Sequence, residues 1–391
     1  MSIRFFTAGE SHGPTLTAIV DGFPAGLAVS IEEINKDLHR RQVGYGAGGR
    51  MAIEKDTVQI LSGVMEGKST GAPITLSVRN DDHVKWQGKQ VTALTTPRPG
   101  HADLTGVVKY GYDDLRPTLE RSSARETTMR VAVGSLFKQL LAHFGIFVGG
   151  YVRSIGEVQN PDSELPLAER YRLAEGNDVR CYDAQTTEKA RLRIAQIMQG
   201  KDTLGGVLEI FATGLPVGLG SYTQWDQRLD ARIAFAMMSV QAMKGVEIGD
   251  AWENSQHPGT EVHDGIYLEG ENLVRKTNRA GGLEGGVTNG QPVIVRVAMK
   301  PIATTLNPQQ TVDCADWTEG PTTYERSDFC PVPRAVPILE AMLAYTLANA
   351  LVEKIGGDSV SEMLPRFAAL PKADKASIHL TGKPHVFWEQ A

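Results

Sequence analysis

The residues best equipped for chemistry fall in short glycine- or serine-rich blocks, separated by long stretches of ordinary core-forming sequence. The first block is Gly9-Glu10-Ser11-His12-Gly13-Pro14, directly after a short apolar strand pattern at 3–8. It brings a carboxylate, a hydroxyl and a titratable imidazole to one turn, where glycine lets the backbone approach a ligand closely. Read alone, it leaves His12 as a base and Ser11 as a nucleophile equally open. A second histidine, His101, sits in the turn-forming run Arg98-Pro99-Gly100-His101-Ala102-Asp103. A third block, Arg121-Ser122-Ser123-Ala124-Arg125, opens a helical pattern, and backbone N–H groups, hydroxyls and two guanidiniums at a helix start suit an anion. Lys300, Thr304 and Thr305 stand at the end of an apolar strand, and Arg326-Ser327-Asp328 precedes the last strong helix.

The elements that must position these blocks can be read from periodicity. Residues 30–41 predict a helix with a Ser30/Glu33 capping box, and its closing His39-Arg40-Arg41 suits the negative end of the helix dipole. Gly44 to Arg50 is too glycine-rich for a helix or strand and predicts a mobile loop carrying Arg50. Strands are expected at 59–64, 74–78, 205–214 and 292–299, and helices at 123–144, 185–199, about 230–243 and 335–355. Ser123 with Glu126 predicts a second capping box, and Gly145 a helix stop. Met237 and Met238 read as core filling. The run from Gly281 to Gly290 is a second glycine-rich turn. No repeat or linker divides the chain, so one large domain is expected over 1–365, with a weakly patterned tail at 366–391.

Composition narrows the function. With 391 residues, 41% hydrophobic and 22% charged, the chain has ample material for a core. Its net charge of −6 argues against general nucleic-acid binding, yet Arg40, Arg41, Arg50, Arg98, Arg121, Arg125 and Arg326 crowd the blocks above. That combination fits a small polyanion as ligand. The three cysteines, Cys181, Cys314 and Cys330, are far apart, and neither a disulfide framework nor a metal site is expected. The start lacks a secretory pattern and no run reaches the 18 apolar residues of a membrane span, so a cytoplasmic protein with no membrane partner is expected. A serine hydrolase built on Ser11 would want a Gly-x-Ser-x-Gly elbow, which is missing. A non-enzymatic polyanion-binding protein would use the arginines but would have no need of His12, His101 and Asp328.

Taken in order, these blocks resemble the chorismate synthase family. The likeness rests on Gly9–Pro14, on Glu120-Arg121-Ser122-Ser123-Ala124-Arg125-Glu126-Thr127, and on Arg326-Ser327-Asp328 leading to Ile338-Leu339-Glu340. Arg98–Asp103 and Lys300-Pro301-Ile302-Ala303-Thr304 add two further matches, and the blocks span roughly residues 1–360. The resemblance implies an α+β fold, a single large domain with a central helical layer sandwiched between antiparallel β-sheets. It implies a carbon-oxygen lyase acting on a phosphate, which removes phosphate and a proton from 5-enolpyruvylshikimate-3-phosphate by anti-1,4-elimination, with reduced FMN as cofactor supplied from an external source, in a homotetramer. By resemblance, His12 protonates the departing phosphate, His101 protonates the reduced flavin, and Asp328 assists proton removal near flavin N5. Substrate contacts fall to Ser11, Arg41, Arg50, Arg98 and Arg125. Flavin contacts fall to Arg121, Ser122, Ser123, Gln241, Ala242, Gly285, Lys300, Pro301, Ile302, Ala303, Thr304 and Arg326. One departure stands out: the family loop Gly-Tyr-Gly-Arg-Gly is here Gly44-Tyr45-Gly46-Ala47-Gly48. A charge-assisted contact of about 1.5–3 kcal/mol is thereby lost unless Arg40 or Arg50 replaces it.

Overall fold

A computed structural model describes residues 2–47, 55–322 and 328–387. Two antiparallel sheets enclose a layer of helices, which is the α+β sandwich expected from the family resemblance. The first sheet has the strand order Arg4–Ala8, Thr15–Asp21, Ile74–Arg79, Val58–Ser62. Its register pairs Leu16 with Val78, Ala18 with Leu76 and Val20 with Ile74, so the period-two residues of both strands share the buried face. The second sheet has the order Met243–Ile248, Val293–Met299, Gly206–Thr213, Phe147–Ile155, Val158–Gln159. There Val293, Val295 and Val297 pair with Ala212, Ile210 and Leu208, all fully buried.

The helix Thr127–His143 packs on the first sheet, and the helix Val332–Ile355 on the second, and the two pack on each other. Val332–Ile355 is long and apolar enough to cross a membrane, but 89% of its apolar window is buried between sheet and helices, where it serves as core. The two helices approach closely at Gly134: a Cβ placed there would lie 2.1 Å from the Ala341 Cβ and 2.5 Å from its Cα. Pro337 cannot supply the N–H that would bond the Pro333 carbonyl one turn back. The Arg180 guanidinium, reaching from a neighbouring segment, donates to that carbonyl instead, and also to the Arg40 carbonyl at 2.8 Å.

A buried ion network pins the helical layer. From the helix Ile31–Gln42, Arg40 donates to both oxygens of Glu340 at 2.7 and 2.8 Å, to Asp37 at 2.8 Å and to both oxygens of Glu175 at 2.7 and 2.9 Å. From Thr127–His143, Lys138 donates to Glu340 at 3.0 Å and to Asp37 at 3.2 Å. Glu340, in the middle of Val332–Ile355, is fully buried.

Several expectations are corrected by the coordinates. Ser30 does cap the first helix through Glu33 N–H, but the box does not close, because Ser30 N–H donates to Gln139 Oε1. The helix expected at 123–144 begins as a 3-10 turn, Ala124–Glu126, capped by Ser123, and becomes α-helical at Thr127. Glu126 is there used by Thr7 and Arg130 rather than by a cap. Gly145, with φ +73°, does sit just past the helix end. The helix expected at about 230–243 ends at Met238, and Met243 starts the strand Met243–Ile248, which periodicity missed. Met237 is fully buried as core, whereas Met238 is 45% exposed. Toward the C-terminus, the helix Val360–Ala368 buries Val360 and Met363, and Ala373 then accepts a backbone bond from Leu273.

Candidate active site

The turn Gly9–Pro14 closes the hairpin between the first two strands, with Gly9 at φ +108° and its missing Cβ only 2.5 Å from the Thr15 carbonyl. Only glycine fits there. The helix Arg116–Ser122 lies over this turn. Ser11 N–H donates to the Glu120 carbonyl at 3.1 Å, His12 N–H to Glu120 Oε2 at 2.8 Å and His12 Nδ1 to Glu120 Oε1 at 2.7 Å. Trp86 covers the imidazole at a ring-centroid distance of 4.8 Å, and His83 Nδ1 donates to the His12 carbonyl at 2.9 Å. Burial raises the Glu120 carboxyl, but the bonds from His12 outweigh this and hold it below its ordinary value.

The turn is tied inward. Ser123 Oγ bonds Ser11 Oγ at 3.2 Å, and Asn80 Nδ2 donates to the Glu10 and Gly13 carbonyls at 3.2 and 2.8 Å. Asn80 Oδ1 in turn accepts from Arg125 Nε at 2.9 Å. Arg125 Nη1 donates to both oxygens of buried Asp56 at 2.7 and 2.9 Å, and Arg41 reaches the same carboxylate at 3.6 Å. Arg41 also donates to Thr127 Oγ1 and to the Ala124 carbonyl, both at 2.9 Å. Arg41, Thr127, Gln241, Met299, Asp328 and Arg334 then line one cleft. Arg334 donates to the Arg41 carbonyl at 2.9 Å and forms an ion pair with Asp328. Burial, with repulsion from Arg334 and Arg125 against the pull of Asp56 and Asp328, pushes the Arg41 guanidinium down to about 9. Crowded guanidiniums of this kind call for an anion.

His101 belongs to a second cluster that joins the same arc. Its Nδ1 donates to Asp103 Oδ1 at 2.6 Å, while Arg98 donates to Asp103 from its backbone and side chain, the shortest bond being 2.8 Å. Burial opposes the charge on Asp103, but the bonds from His101 and Arg98 prevail and hold its carboxyl well below the usual carboxylate range. Arg98 also reaches Thr304 Oγ1 at 3.1 Å, and Lys300 Nζ donates to the Gly100 carbonyl at 2.6 Å. Lys300 N–H bonds the Ala242 carbonyl at 3.0 Å, and Ala242 has a positive φ of +67°. Gln241, the preceding residue, donates to Glu126 at 3.3 Å. Ile302 accepts from Thr203, Ala303 lies near Gly100, and Pro301 is exposed between them.

The structure thus brings together His12, Ser11, Ser123, Arg125, Arg41, Gln241, Ala242, Asp328, Arg98, His101, Lys300 and Thr304. Arg121 is at the rim, donating to the Thr7 and Gly9 carbonyls at 2.8 and 3.1 Å. Gly285 stands in the exposed turn between Leu283–Glu284 and Val287–Thr288, beside Tyr222, outside these clusters among the described residues. Arg50 and Arg326 lie outside the described residues. Arg40 cannot stand in for the loop arginine absent at Ala47, because its guanidinium is engaged by Asp37, Glu175 and Glu340. Glu120, Asp103, Asp56, Asn80 and Arg334 are the participants that sequence reasoning left without a role. Asp103 lies inside a singled-out block, but Glu120 is 108 residues from His12 and no spacing pattern could connect them.

Four buried side-chain oxygens among the described residues have no hydrogen-bond partner: Thr118 Oγ1, Ser122 Oγ, Gln241 Oε1 and Asn254 Oδ1. Ser122 and Gln241 belong to the expected flavin contacts, and unsatisfied buried polar atoms at such positions suit a polar cofactor. A model of the chorismate synthase family matches residues 3–352. The chain belongs to the chorismate synthase family. A chorismate synthase of Syntrophotalea carbinolica is 53% identical over 371 residues, covering 92% of this chain and 96% of that one. Another, of Prosthecochloris aestuarii, is 50% identical over 394 residues, covering 96% and 98%. A crystal structure of chorismate synthase superposes with a TM-score of 0.78 at 43% identity, covering 94% of this chain and 97% of that one. Among chorismate synthases, therefore, this chain keeps the fold over nearly its whole length.

Proposed function

We propose that the chain converts 5-enolpyruvylshikimate-3-phosphate to chorismate and inorganic phosphate by anti-1,4-elimination. The observation that carries this reading is the cleft lined by Arg41, Arg334, Asp328 and Gln241, with Arg125 joined to Arg41 through their shared partner Asp56. A substrate with one phosphate and two carboxylates supplies the anions such a cleft requires. Reduced FMN, when bound, supplies electron density as the carbon–oxygen bond breaks and recovers it as hydrogen leaves, so the reaction has no net redox change. Ser122 and Gln241 would hold it, with Arg121, Ser123, Ala242, Arg326 and the run Lys300–Thr304.

The chain's own residues divide the remaining work. Arg41, Arg50, Arg98 and Arg125 bind the substrate's anionic groups, with Ser11 as a supporting contact. In its imidazolium form, with Nδ1–H committed to Glu120, His12 delivers its Nε2 proton to the departing phosphate and is left neutral. His101, held by Asp103, would supply a proton to the reduced flavin, and Asp328 assists removal of the substrate proton. Each such transfer is worth about 10²–10⁴-fold in rate. The enzyme acts in the cytoplasm as a homotetramer and takes reduced flavin from an external source. The test is phosphate release under anaerobic conditions with reduced FMN and the substrate. Release that depends on reduced flavin is expected, and its absence would overturn the reading.

A further inference from the structure

We propose that Glu120 is the positioning residue of His12, fixing both the place of the imidazole and the ring nitrogen that carries its exchangeable proton. The proposal rests on the reaction reading above for its catalytic consequence, and on geometry alone for its structural part. Glu120 of the helix Arg116–Ser122 ties down Ser11 and His12 through three bonds: its carbonyl takes Ser11 N–H, one carboxylate oxygen takes His12 N–H, and the other takes Nδ1. A carboxylate can accept both His12 donors at once because it offers two oxygens and no hydrogen of its own. The neutral ring is thereby held with its proton on Nδ1 and a lone pair on Nε2.

The rest of the imidazole's freedom is removed by neighbours. Trp86 packs beside the imidazole with the two ring planes tilted by 51°, and Trp86 is itself fixed by a bond from Nε1 to Asp82 at 3.2 Å. His83 bonds the His12 carbonyl. The side chains of His12 and Glu120 are 20% and 13% exposed, so water competes weakly for the pair. What remains is Nε2, the one ring atom free to exchange a proton with a ligand. Glutamine at 120 would keep the shape but not the pattern. Its single carbonyl oxygen could accept from His12 N–H or from Nδ1, and its NH2 group would face the other donor.

The experiment has a spectroscopic and a kinetic arm, both on the full-length protein. With histidine labelled with ¹⁵N, the neutral His12 ring of the wild type should show a protonated Nδ1 and an unprotonated Nε2, and Glu120→Gln should show a mixture of tautomers. In turnover, Glu120→Gln should lower kcat by about 10-fold or more, since the carboxylate that orients a catalytic histidine can be worth up to about 10⁴-fold, with KM changed less than threefold. Adding Glu120→Gln to His12→Ala should cost less than a further twofold, because a residue acting through His12 has nothing left to position. A tautomer unchanged by Glu120→Gln, an unchanged kcat, or a full additional loss in the double variant would each overturn the proposal. A wild type that makes no chorismate would instead overturn the reaction reading, and with it the catalytic half of the proposal, while the tautomer result still decides the structural half.

Discussion

Replacing Glu340 by Gln tests the network that holds the three central helices together. Glu340 is fully buried, with Arg40 on both oxygens at 2.7 and 2.8 Å and Lys138 on one at 3.0 Å. Burial alone would raise its carboxyl, but the two cations overcome this and bring it down to about 2 from an ordinary 4.5. A shift of that size corresponds to about 3 kcal/mol of stability at neutral pH, at about 1.4 kcal/mol per pH unit. Breaking one partner out of a buried ion group carries an independent expectation of about 3–5 kcal/mol, because two buried cations lose a counter-charge. Glutamine keeps the volume, so the effect is electrostatic and not a cavity. The sign of the pH dependence follows from the depressed carboxyl: its contribution is complete above the unfolded value near 4.5 and is lost as pH falls toward about 2. Urea unfolding at pH 7 should therefore show Glu340→Gln less stable by about 3 kcal/mol, with the gap closing on acidification below pH 4.5. A gap under about 1 kcal/mol at pH 7, or one that widens in acid, would refute the reasoning.

Other expectations follow from single contacts. Gly134→Ala should destabilise by about 3 kcal/mol or more in urea unfolding, since the new methyl would overlap the Ala341 backbone and the two central helices must separate to admit it. Met237→Ala should cost about 2–5 kcal/mol, while Met238→Ala, at an exposed position, should stay within about 0.5 kcal/mol in the same assay. His12→Ala and His101→Ala should each lower kcat by about 10²-fold or more with flavin affinity, measured by fluorescence quenching, kept within a few-fold. Silence in both would leave the proton-transfer roles without support.

Much of the architecture was legible because the physics was local. The alternation Ile74, Leu76, Val78 gives one buried face, and it lies on that face in the structure. Ser30 and Gly145 mark helix ends through their own side chain or its lack. The strand Met243–Ile248 was missed because it follows a helix after a four-residue turn and carries Lys244 and Glu247 within it. Met238 was misjudged because methionine spacing cannot tell the buried stripe of a helix from its flank. At the site, the blocks with glycine, serine and histidine were visible, since their composition is unusual. Their partners were not. Glu120 meets His12 across 108 residues, and Arg334 meets Arg41 across 293, and such pairs exist only once the sheets and helices have been assembled. Arg40 and Arg41 make the same point at adjacent positions: one is locked in a structural ion network and the other lines the cleft.

The central claim is that this arc of histidines, arginines and Asp328 eliminates phosphate. It is tested most directly by anaerobic incubation of the purified protein with chemically reduced FMN and 5-enolpyruvylshikimate-3-phosphate, following chorismate and free phosphate together. The account predicts equal amounts of the two products, none without reduced flavin, and a loss of about 10²-fold or more in rate with His12→Ala. Phosphate released without chorismate, or product formed at an undiminished rate by His12→Ala, would contradict it.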